Sequence, residues 1–199
     1  RVRADKPDIL LVSGDLTKDG EQECHKALAK QLQQLQKDVP GLKVYVINGN
    51  HDIRNYNAKN FNTADGKAVP ATRTHPEDFK DIYDFVYSDP TVIATFTPAE
   101  GKKAGYMSYV ARPVEGLTII AMDTCRYSVD NTDNGADEHE TSGAISADLE
   151  KWVIEQTAAA KARGDLVIGL EHHGLVPHFD VEPTILPMYL VNGYERIAQ

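Results

Sequence analysis

Two short apolar runs joined by an amphipathic segment set the strongest constraint on the fold of this chain. Residues 9–13 read Ile-Leu-Leu-Val-Ser and residues 42–47 read Leu-Lys-Val-Tyr-Val-Ile, as is typical of buried strands. Leucines and a valine recur between the two runs at intervals of three and four: Leu28, Leu32, Leu35 and Val39. This spacing predicts a helix, so residues 9–50 should form a βαβ unit with parallel strands and a right-handed crossover.

The ends of this helix are also marked. We expect it to start near Asp19 and to run for about 18 residues. Asp19 is a suitable N-cap, and Gln22, three positions later, completes a capping-box pattern. Pro40-Gly41 should end the helix.

The rest of the chain continues the alternation of strands and helices. Strands are predicted at 106–111, 117–122 and 166–170, with a long helix from about Ser146 between the last two. Residues 54–103 form a long insertion with a short predicted helix, and we expect this insertion to overhang the strand ends as a cap or rim. The pattern predicts an α/β fold in a single domain.

Polar clusters follow three of the predicted strands. They are Gly14-Asp15, Gly49-Asn50-His51-Asp52 and His172-His173. Turn chemistry explains the Gly, Asn and Asp residues but not the histidines. Because ligands bind at the carboxyl ends of strands in open α/β sheets, we expect these side chains to meet at one edge. Carboxylate, carboxamide and imidazole together form a mixed oxygen and nitrogen donor set that suits Mn, Fe or Zn.

Composition narrows the possible functions. A net charge of −9 and a pI near 5.2 argue against a broad basic surface for a nucleic-acid polymer. No apolar run is long enough for a membrane span. Cys24 and Cys125 lack the paired spacing of a disulfide framework or zinc knuckle, and the compartment stays open.

The three clusters carry a family resemblance. In this order, and each after a strand, Gly14-Asp15-Leu16-Thr17, Gly49-Asn50-His51-Asp52 and His172-His173 resemble the second, third and fourth motifs of the calcineurin-like metallophosphoesterases. Within that superfamily, the motif sequences are similar to those of the bacterial branch that contains cyclic-nucleotide phosphodiesterases. The resemblance implies a four-layer α/β fold, with mixed central sheets flanked by helices. It also implies hydrolysis of a small phosphoester, with a nucleotide as a candidate substrate, at a centre of two metal ions.

The resemblance also implies roles for single residues. Asp15 would bridge the two ions, and Asn50 and His172 would each ligate one of them. His51 would stand beside the phosphoryl group, stabilising charge or protonating the leaving oxygen, with Asp52 orienting it. His173 would be a neighbour of the site and not a ligand.

Two family motifs are absent from the sequence. Asp-x-His should precede Arg1 and Gly-His-x-His should follow Gln199, so we expect residues 1–199 to be an interior, partial domain. The alternative function is an inactive binding or regulatory module that has kept the fold. Loss of a central strand would leave an exposed sheet edge through which the chain could self-associate.

Several further residues are weaker candidates. Asp123 ends a predicted strand and is more typical of a structural turn than of a group supporting a metal. Residues 130–140 resemble a calcium loop only in part, which favours a solvated acidic loop. His178 is a candidate for reaching the cleft, and Arg54, Tyr56 and Arg126 are candidates for contacting substrate. The remaining histidines are predicted to lie on the surface: His25, His75 and His139.

Overall fold

The computed structural model describes residues 1–126 and 141–198 and confirms a mixed α/β fold. The helices are α1 (Val2–Asp5), α2 (Gln22–Asp38), α3 (Pro76–Ile82), α4 (Asp84–Tyr87), α5 (Ala147–Ala162), α6 (Glu182–Ile185) and α7 (Tyr194–Ile197), with a 3-10 turn at Pro187–Tyr189. The strands are β1 (Ile9–Ser13), β2 (Lys43–Ile47), β3 (Lys59–Asn60), β4 (Val69–Pro70), β5 (Val92–Thr95), β6 (Tyr109–Val114), β7 (Leu117–Ala121) and β8 (Leu166–Leu170).

The first βαβ unit has the predicted parallel arrangement. Strand β1 pairs with β2 from Ile9 opposite Lys43 to Ser13 opposite Ile47. Helix α2 ends before Pro40, as predicted, but its N-cap is Glu21 and no side chain caps it. The Asp19 capping box is therefore wrong, because the Asp19 carboxylate lies with Lys18 and accepts a hydrogen bond from Asn55 instead.

The remaining long strands form a second sheet. Its order is β5-β6-β7-β8, antiparallel except for the parallel β7–β8 pair. Strand β6 begins three residues later than predicted, because the Tyr106 and Ser108 amides donate to the Lys103 and Gly105 carbonyls and form a turn. Helix α5 begins directly after Ser146, whose hydroxyl accepts from the Leu149 amide.

Part of the 54–103 insertion belongs to the core. Phe79 and Tyr83 of this segment are fully buried and stack with ring centroids 4.6 Å apart. They belong to the same apolar cluster as Tyr45 of β2. Helices α3 and α4 thus complete the packing around α2 and β2, and this part of the insertion is not the cap or rim that the sequence suggested.

The surface features bear on two further expectations. No helix within 1–126 and 141–198 has the length and apolar character needed to cross a membrane. Strand β1 is only half-buried, and in the described part of the chain it pairs with β2 alone. Self-association through this edge stays a prediction.

Candidate metal and phosphoester site

Two glycines allow the loops after β1 and β2 to touch. A side chain on Gly49 would place its Cβ 2.2 Å from the Asp15 backbone nitrogen and 2.3 Å from Asp15 Oδ1. A Cβ on Gly14 would lie 2.5 Å from the Gly49 nitrogen. Asp15 itself adopts φ 49°, a left-handed conformation that is uncommon for a residue with a side chain. The carboxylate of Asp15 therefore lies against the Gly49-Asn50-His51 backbone, and its Oδ1 accepts from the His51 amide at 3.1 Å.

His172 brings the third donor atom to this point. Its Nδ1 lies 2.9 Å from the Ser13 carbonyl oxygen, to which only an N–H can donate. In the neutral ring, Nε2 then carries a lone pair, and it lies 3.0 Å from Asn50 Oδ1 and 3.4 Å from Asp15 Oδ1. Three electron-rich atoms thus converge, with the imidazole tautomer held by a backbone carbonyl as is usual for a metal-bound histidine.

The donor set fits a metal ion. It contains a carboxylate, a carboxamide oxygen and an imidazole nitrogen, the mixture that suits Mn, Fe or Zn. The cluster has only two of the usual charged or imidazole ligands, and no group of three or more His, Cys, Asp or Glu placed to hold a metal occurs among the described residues. Asn50 supplies the third donor atom of the set.

The three donor residues come from two different sheets. The sequence had predicted instead that they would meet at one edge of a single sheet. Asp15 and Asn50 follow strands of the β1–β2 sheet, whereas His172 follows β8 of the second sheet. Two buried hydrogen bonds connect the sheets here: Asn48 Nδ2 donates to Asp123 Oδ1 at 2.9 Å, and the Tyr109 hydroxyl donates to the Val46 carbonyl at 3.0 Å. Asp123 thus supports the strand that leads to Asn50.

His51 lies beside the donor cluster, and contacts at its Nδ1 atom hold the ring in place. Its Nδ1 is 2.8 Å from the Lys18 carbonyl oxygen and 3.5 Å from Asp19 Oδ1. Nδ1 is therefore the donor, and the Asp19 carboxylate is close enough to stabilise a positive charge on the ring.

Asp52 does not orient His51, so that expectation is wrong. The Asp52 side chain is fully buried, and its oxygens accept from the amides of Leu16 (2.8 Å), Thr17 (3.0 Å) and Gly49 (2.7 Å). A carboxylate committed to three amides of two loops acts as a tether between them. The His51 ring is oriented instead by the Lys18 carbonyl and the Asp19 carboxylate.

The predicted surface position of His25 is also wrong. This residue is fully buried on α2, where Nδ1 lies 3.0 Å from the Tyr83 hydroxyl and Nε2 lies 3.2 Å from the Asp52 carbonyl oxygen. Burial lowers the pKa of His25. A neutral imidazole thus supports the Asp52 tether from the side away from the cavity.

His173 is a buried neighbour of the donor cluster. Its Nδ1 lies 2.8 Å from the Thr124 hydroxyl and its Nε2 lies 2.8 Å from the Thr141 carbonyl oxygen, so both ring nitrogens have protein partners. Burial lowers the pKa of His173 to about 4, and the ring packs edge to face against His172 at 4.9 Å. The neutral ring helps to fix His172 in place.

The donor cluster opens into a cavity of about 510 Å³. The described residues that line it are Asp15, Asn50, His51, Thr141, His172, His173, His178, Glu182 and Tyr189. A larger cavity of about 590 Å³ beside the β3–β4 hairpin is lined by a different set that includes Glu21, Cys24 and Lys59. We assign the site by its chemistry and not by size, because only the smaller cavity includes the convergent donors.

Other sequence candidates lie apart from this lining. Arg54 is buried and its amide donates to the Thr74 carbonyl, while the Arg126 guanidinium donates to the Ser142 hydroxyl. Tyr56 is half-exposed. Contact of these three with substrate stays a prediction. The 130–140 loop, with His139, lies outside the described residues.

The sequence reasoning missed three lining residues, Thr141, Glu182 and Tyr189. None directly follows a strand, and the last two lie in the run of short turns after residue 178, so no periodicity marks them. The closeness of a histidine and a glutamate four positions apart was the available signal.

Comparisons with known proteins agree with this architecture. The family model for calcineurin-like phosphoesterases matches residues 1–192. Sphingomyelinase phosphodiesterase D of Dictyostelium discoideum is 30% identical over 92 residues, which make up 46% of this chain and 18% of that protein. A dimetal phosphatase from Danio rerio superposes with a TM-score of 0.57 at 13% identity, covering 99% of this chain and 63% of that one. At that identity the second likeness shows the fold alone.

Proposed function

Because the chain belongs to the calcineurin-like phosphoesterase family, we propose that it hydrolyses small phosphoesters with the help of bound metal ions. The observation that supports this best is the convergence of the His172 Nε2 lone pair on Asn50 Oδ1 and Asp15 Oδ1, at 3.0 and 3.4 Å. The lone pairs on the imidazole nitrogen and the Asp15 carboxylate oxygen repel one another unless a cation or a proton lies between them. A placement within the bacterial branch of the family stays a prediction.

Asp15, Asn50 and His172 would hold the metal. A carboxylate such as Asp15 has two oxygens and can bridge two ions, and Asn50 adds a neutral oxygen that leaves the positive charge of the ion undiminished. When bound, divalent or trivalent ions such as Mn, Fe or Zn supply Lewis acidity and lower the pKa of a water molecule. The positive charge of the metal ions would also attract the anionic phosphoester, which the net charge of −9 on the chain would otherwise repel.

His51 would position the phosphoryl group. Its Nδ1–H is engaged by the Lys18 carbonyl, so Nε2 is the ring atom that would contact a phosphoryl oxygen. A protonated ring donates to that oxygen and is stabilised by Asp19 at 3.5 Å. In this arrangement His51 binds the charge that grows on phosphorus oxygens during displacement.

The proposal is tested with purified protein, Mn²⁺ and bis-p-nitrophenyl phosphate. Asn50→Ala and His51→Ala should each lower the hydrolysis rate roughly a hundredfold or more. Asn57→Ala, an exposed asparagine outside the cavity lining, and His75→Ala are the matched controls and should keep the wild-type rate. Calorimetric titration with Mn²⁺ should show binding to wild type that is weakened in Asp15→Asn and His172→Ala.

Two results would count against the proposal. Equal rates in wild type, Asn50→Ala and His51→Ala would show that the hydrolysis does not use this site. Tight Mn²⁺ binding by wild type without turnover of any phosphoester would favour the binding-module alternative.

A further inference from the structure

A carboxylate–imidazole pair lies in the cavity in addition to the donor cluster. Glu182, at the start of α6, is only 2% exposed, and both of its oxygens lie 3.0 Å from His178 Nδ1. Glu182 Oε2 also accepts from the His178 backbone amide at 2.5 Å. One buried carboxylate thus holds both the backbone and the ring of His178, while the His178 side chain stays largely exposed.

This geometry determines which ring nitrogen is available. Because Glu182 accepts from Nδ1, the proton of the neutral ring lies on Nδ1, and Nε2 is on the opposite side of the imidazole from the carboxylate. The hydrogen bond from the His178 amide, and next that from its ring, hold the pKa of Glu182 below its usual range. Glu182 is therefore ionised. When the ring carries a proton on Nε2 as well, it is a proton donor whose Nδ1 side faces the ionised carboxylate.

The pair is anchored to the segment that carries His172. The Gly174 amide donates to the Tyr189 carbonyl at 2.9 Å, and the Val191 amide donates to the Gly174 carbonyl at 3.0 Å. A Cβ on Gly174 would lie 3.3 Å from His178 Cε1, so the ring packs over the backbone two residues after His172. The imidazole is therefore held at a fixed place relative to the donor cluster.

His51 and His178 differ in the partner of their Nδ1 atoms. The closest partner of His51 is a neutral backbone carbonyl, whereas His178 has a buried carboxylate. A carboxylate stabilises the imidazolium more strongly and sets the ring up to give and regain a proton. Hydrolysis of an ordinary phosphoester requires such a donor, because an alkoxide or phenoxide is a poor leaving group.

We propose that His178 is the general acid that protonates the leaving-group oxygen. As the bond from phosphorus to the ester oxygen breaks, its electron pair stays on that oxygen and takes the proton from His178 Nε2. The ester group departs as an alcohol, the ring is left neutral with Nδ1–H still bonded to Glu182, and a proton released by the attacking water restores the imidazolium. This inference rests on the proposed phosphoester hydrolysis and assigns His51 the other role, binding of the phosphoryl oxygens.

The chain contains a matched control for this pair. His75 Nδ1 lies 3.3 Å from Asp78 Oδ2, and its backbone amide donates to the same oxygen at 2.9 Å. The arrangement resembles that at His178, although the Asp78 carboxylate is more exposed than Glu182, and His75 precedes α3 and does not line the cavity. His75→Ala therefore removes an imidazole–carboxylate pair without touching the site.

The experiment compares two substrates in the presence of Mn²⁺. Bis-p-nitrophenyl phosphate releases a stable anion that needs little protonation, whereas diphenyl phosphate releases a basic phenoxide. His178→Ala should lower kcat for diphenyl phosphate about 100-fold or more and change the nitrophenyl reaction much less. Glu182→Gln should change both rates in the same pattern with a smaller factor, and His75→Ala should change neither.

Folding and binding are measured separately from the chemistry. His178→Gln retains a donor toward Glu182 and similar volume, so it should fold if His178→Ala does not, and it should show the same substrate dependence. Inorganic phosphate should bind to the variants within a few-fold of wild type by calorimetry, since proton donation is not needed for binding.

The outcomes separate the two proposals. If wild type hydrolyses both esters and His178→Ala and His178→Gln slow them by the same factor, or by none, His178 is not the acid while the hydrolase assignment stands. If wild type with Mn²⁺ hydrolyses neither ester, the proposed function itself is overturned.

Discussion

Replacing Asp52 by asparagine should destabilise the fold and lower activity, although Asp52 does not line the cavity. The carboxylate accepts from Leu16 and Thr17 through one oxygen and from Gly49 through the other. These amides belong to the loops after β1 and β2, which carry Asp15 and Asn50. Asparagine has one acceptor where aspartate has two, so one of the two loops must lose its bond.

The size of the effect follows from these contacts. In the better orientation, the asparagine oxygen keeps the Leu16 and Thr17 amides, and its NH₂ group faces the Gly49 amide. The loss of one charge-assisted bond costs about 1.5–3 kcal/mol, and the burial of unpaired donors costs about 1–3 kcal/mol. Burial raises the pKa of Asp52, so a neutral side chain recovers part of this cost. We expect a net loss of about 3 kcal/mol in the free energy of unfolding.

Activity should fall because the distance between the two loops sets the site. Asp15 Oδ1 and Asn50 Oδ1 are both within 3.4 Å of His172 Nε2, and a displacement of one loop by about 1 Å can cost two orders of magnitude in rate. Urea unfolding and hydrolysis of bis-p-nitrophenyl phosphate with Mn²⁺ measure the two effects on the same samples.

An exposed aspartate provides the control. Asp65 also accepts from a backbone amide, that of Lys67 at 3.1 Å, in a solvent-exposed turn. Asp65→Asn should change neither the urea midpoint nor the rate. The reasoning is refuted if Asp52→Asn unfolds within about 0.5 kcal/mol of wild type and yet loses activity as steeply as His51→Ala, because Asp52 would then act on His51 chemistry and not on the loops.

Two further variants test the support of the site. His25→Gln should flatten the acid dependence of stability: burial lowers the pKa of His25, so wild-type stability is complete above the unfolded pKa of about 6.5 and is lost as pH falls, by up to about 1.4 kcal/mol per pH unit. Urea midpoints at pH 7.5 and 5 measure the slope, and parallel curves for variant and wild type would contradict it. Gly49→Ala should cost about 1–3 kcal/mol of stability and most of the Mn²⁺-dependent activity, since its Cβ would lie 2.2 Å from the Asp15 nitrogen; wild-type turnover would contradict this.

Local patterns predicted the scaffold well. Strands 9–13 and 166–170 have the predicted bounds, and α5 starts directly after Ser146. These elements are specified by periodicity and caps within the segment itself. The closeness of Asp15 and Asn50 agrees with expectation, because the carboxyl ends of the adjacent parallel strands β1 and β2 restrict where those side chains lie. His172 reaches them from the second sheet, which the strand pattern did not predict.

The errors arise where distant contacts decide a side chain's surroundings. His25 continues the stripe of Leu28 and Leu32 at helical spacing, so its burial was visible in the periodicity, but its partners Tyr83 and Asp52 were not. The Asp52 tether depends on a contact between loops about 36 residues apart, a relation that no spacing rule contains.

The two supports of the site are structurally separate, and this has a measurable consequence. Asp52 ties the loops after β1 and β2, whereas Glu182 holds His178 in the segment after β8, and within the described ranges the two carboxylates share no hydrogen-bond partner. The stability losses of Asp52→Asn and His178→Ala should therefore add within about 0.5 kcal/mol in the double variant. The rate losses on diphenyl phosphate should not add, because His178 can deliver its proton only to an ester that the first two loops have placed correctly. Additive rate losses would show that the His178 proton does not depend on the position of the phosphoryl group, which is incompatible with its role as the acid.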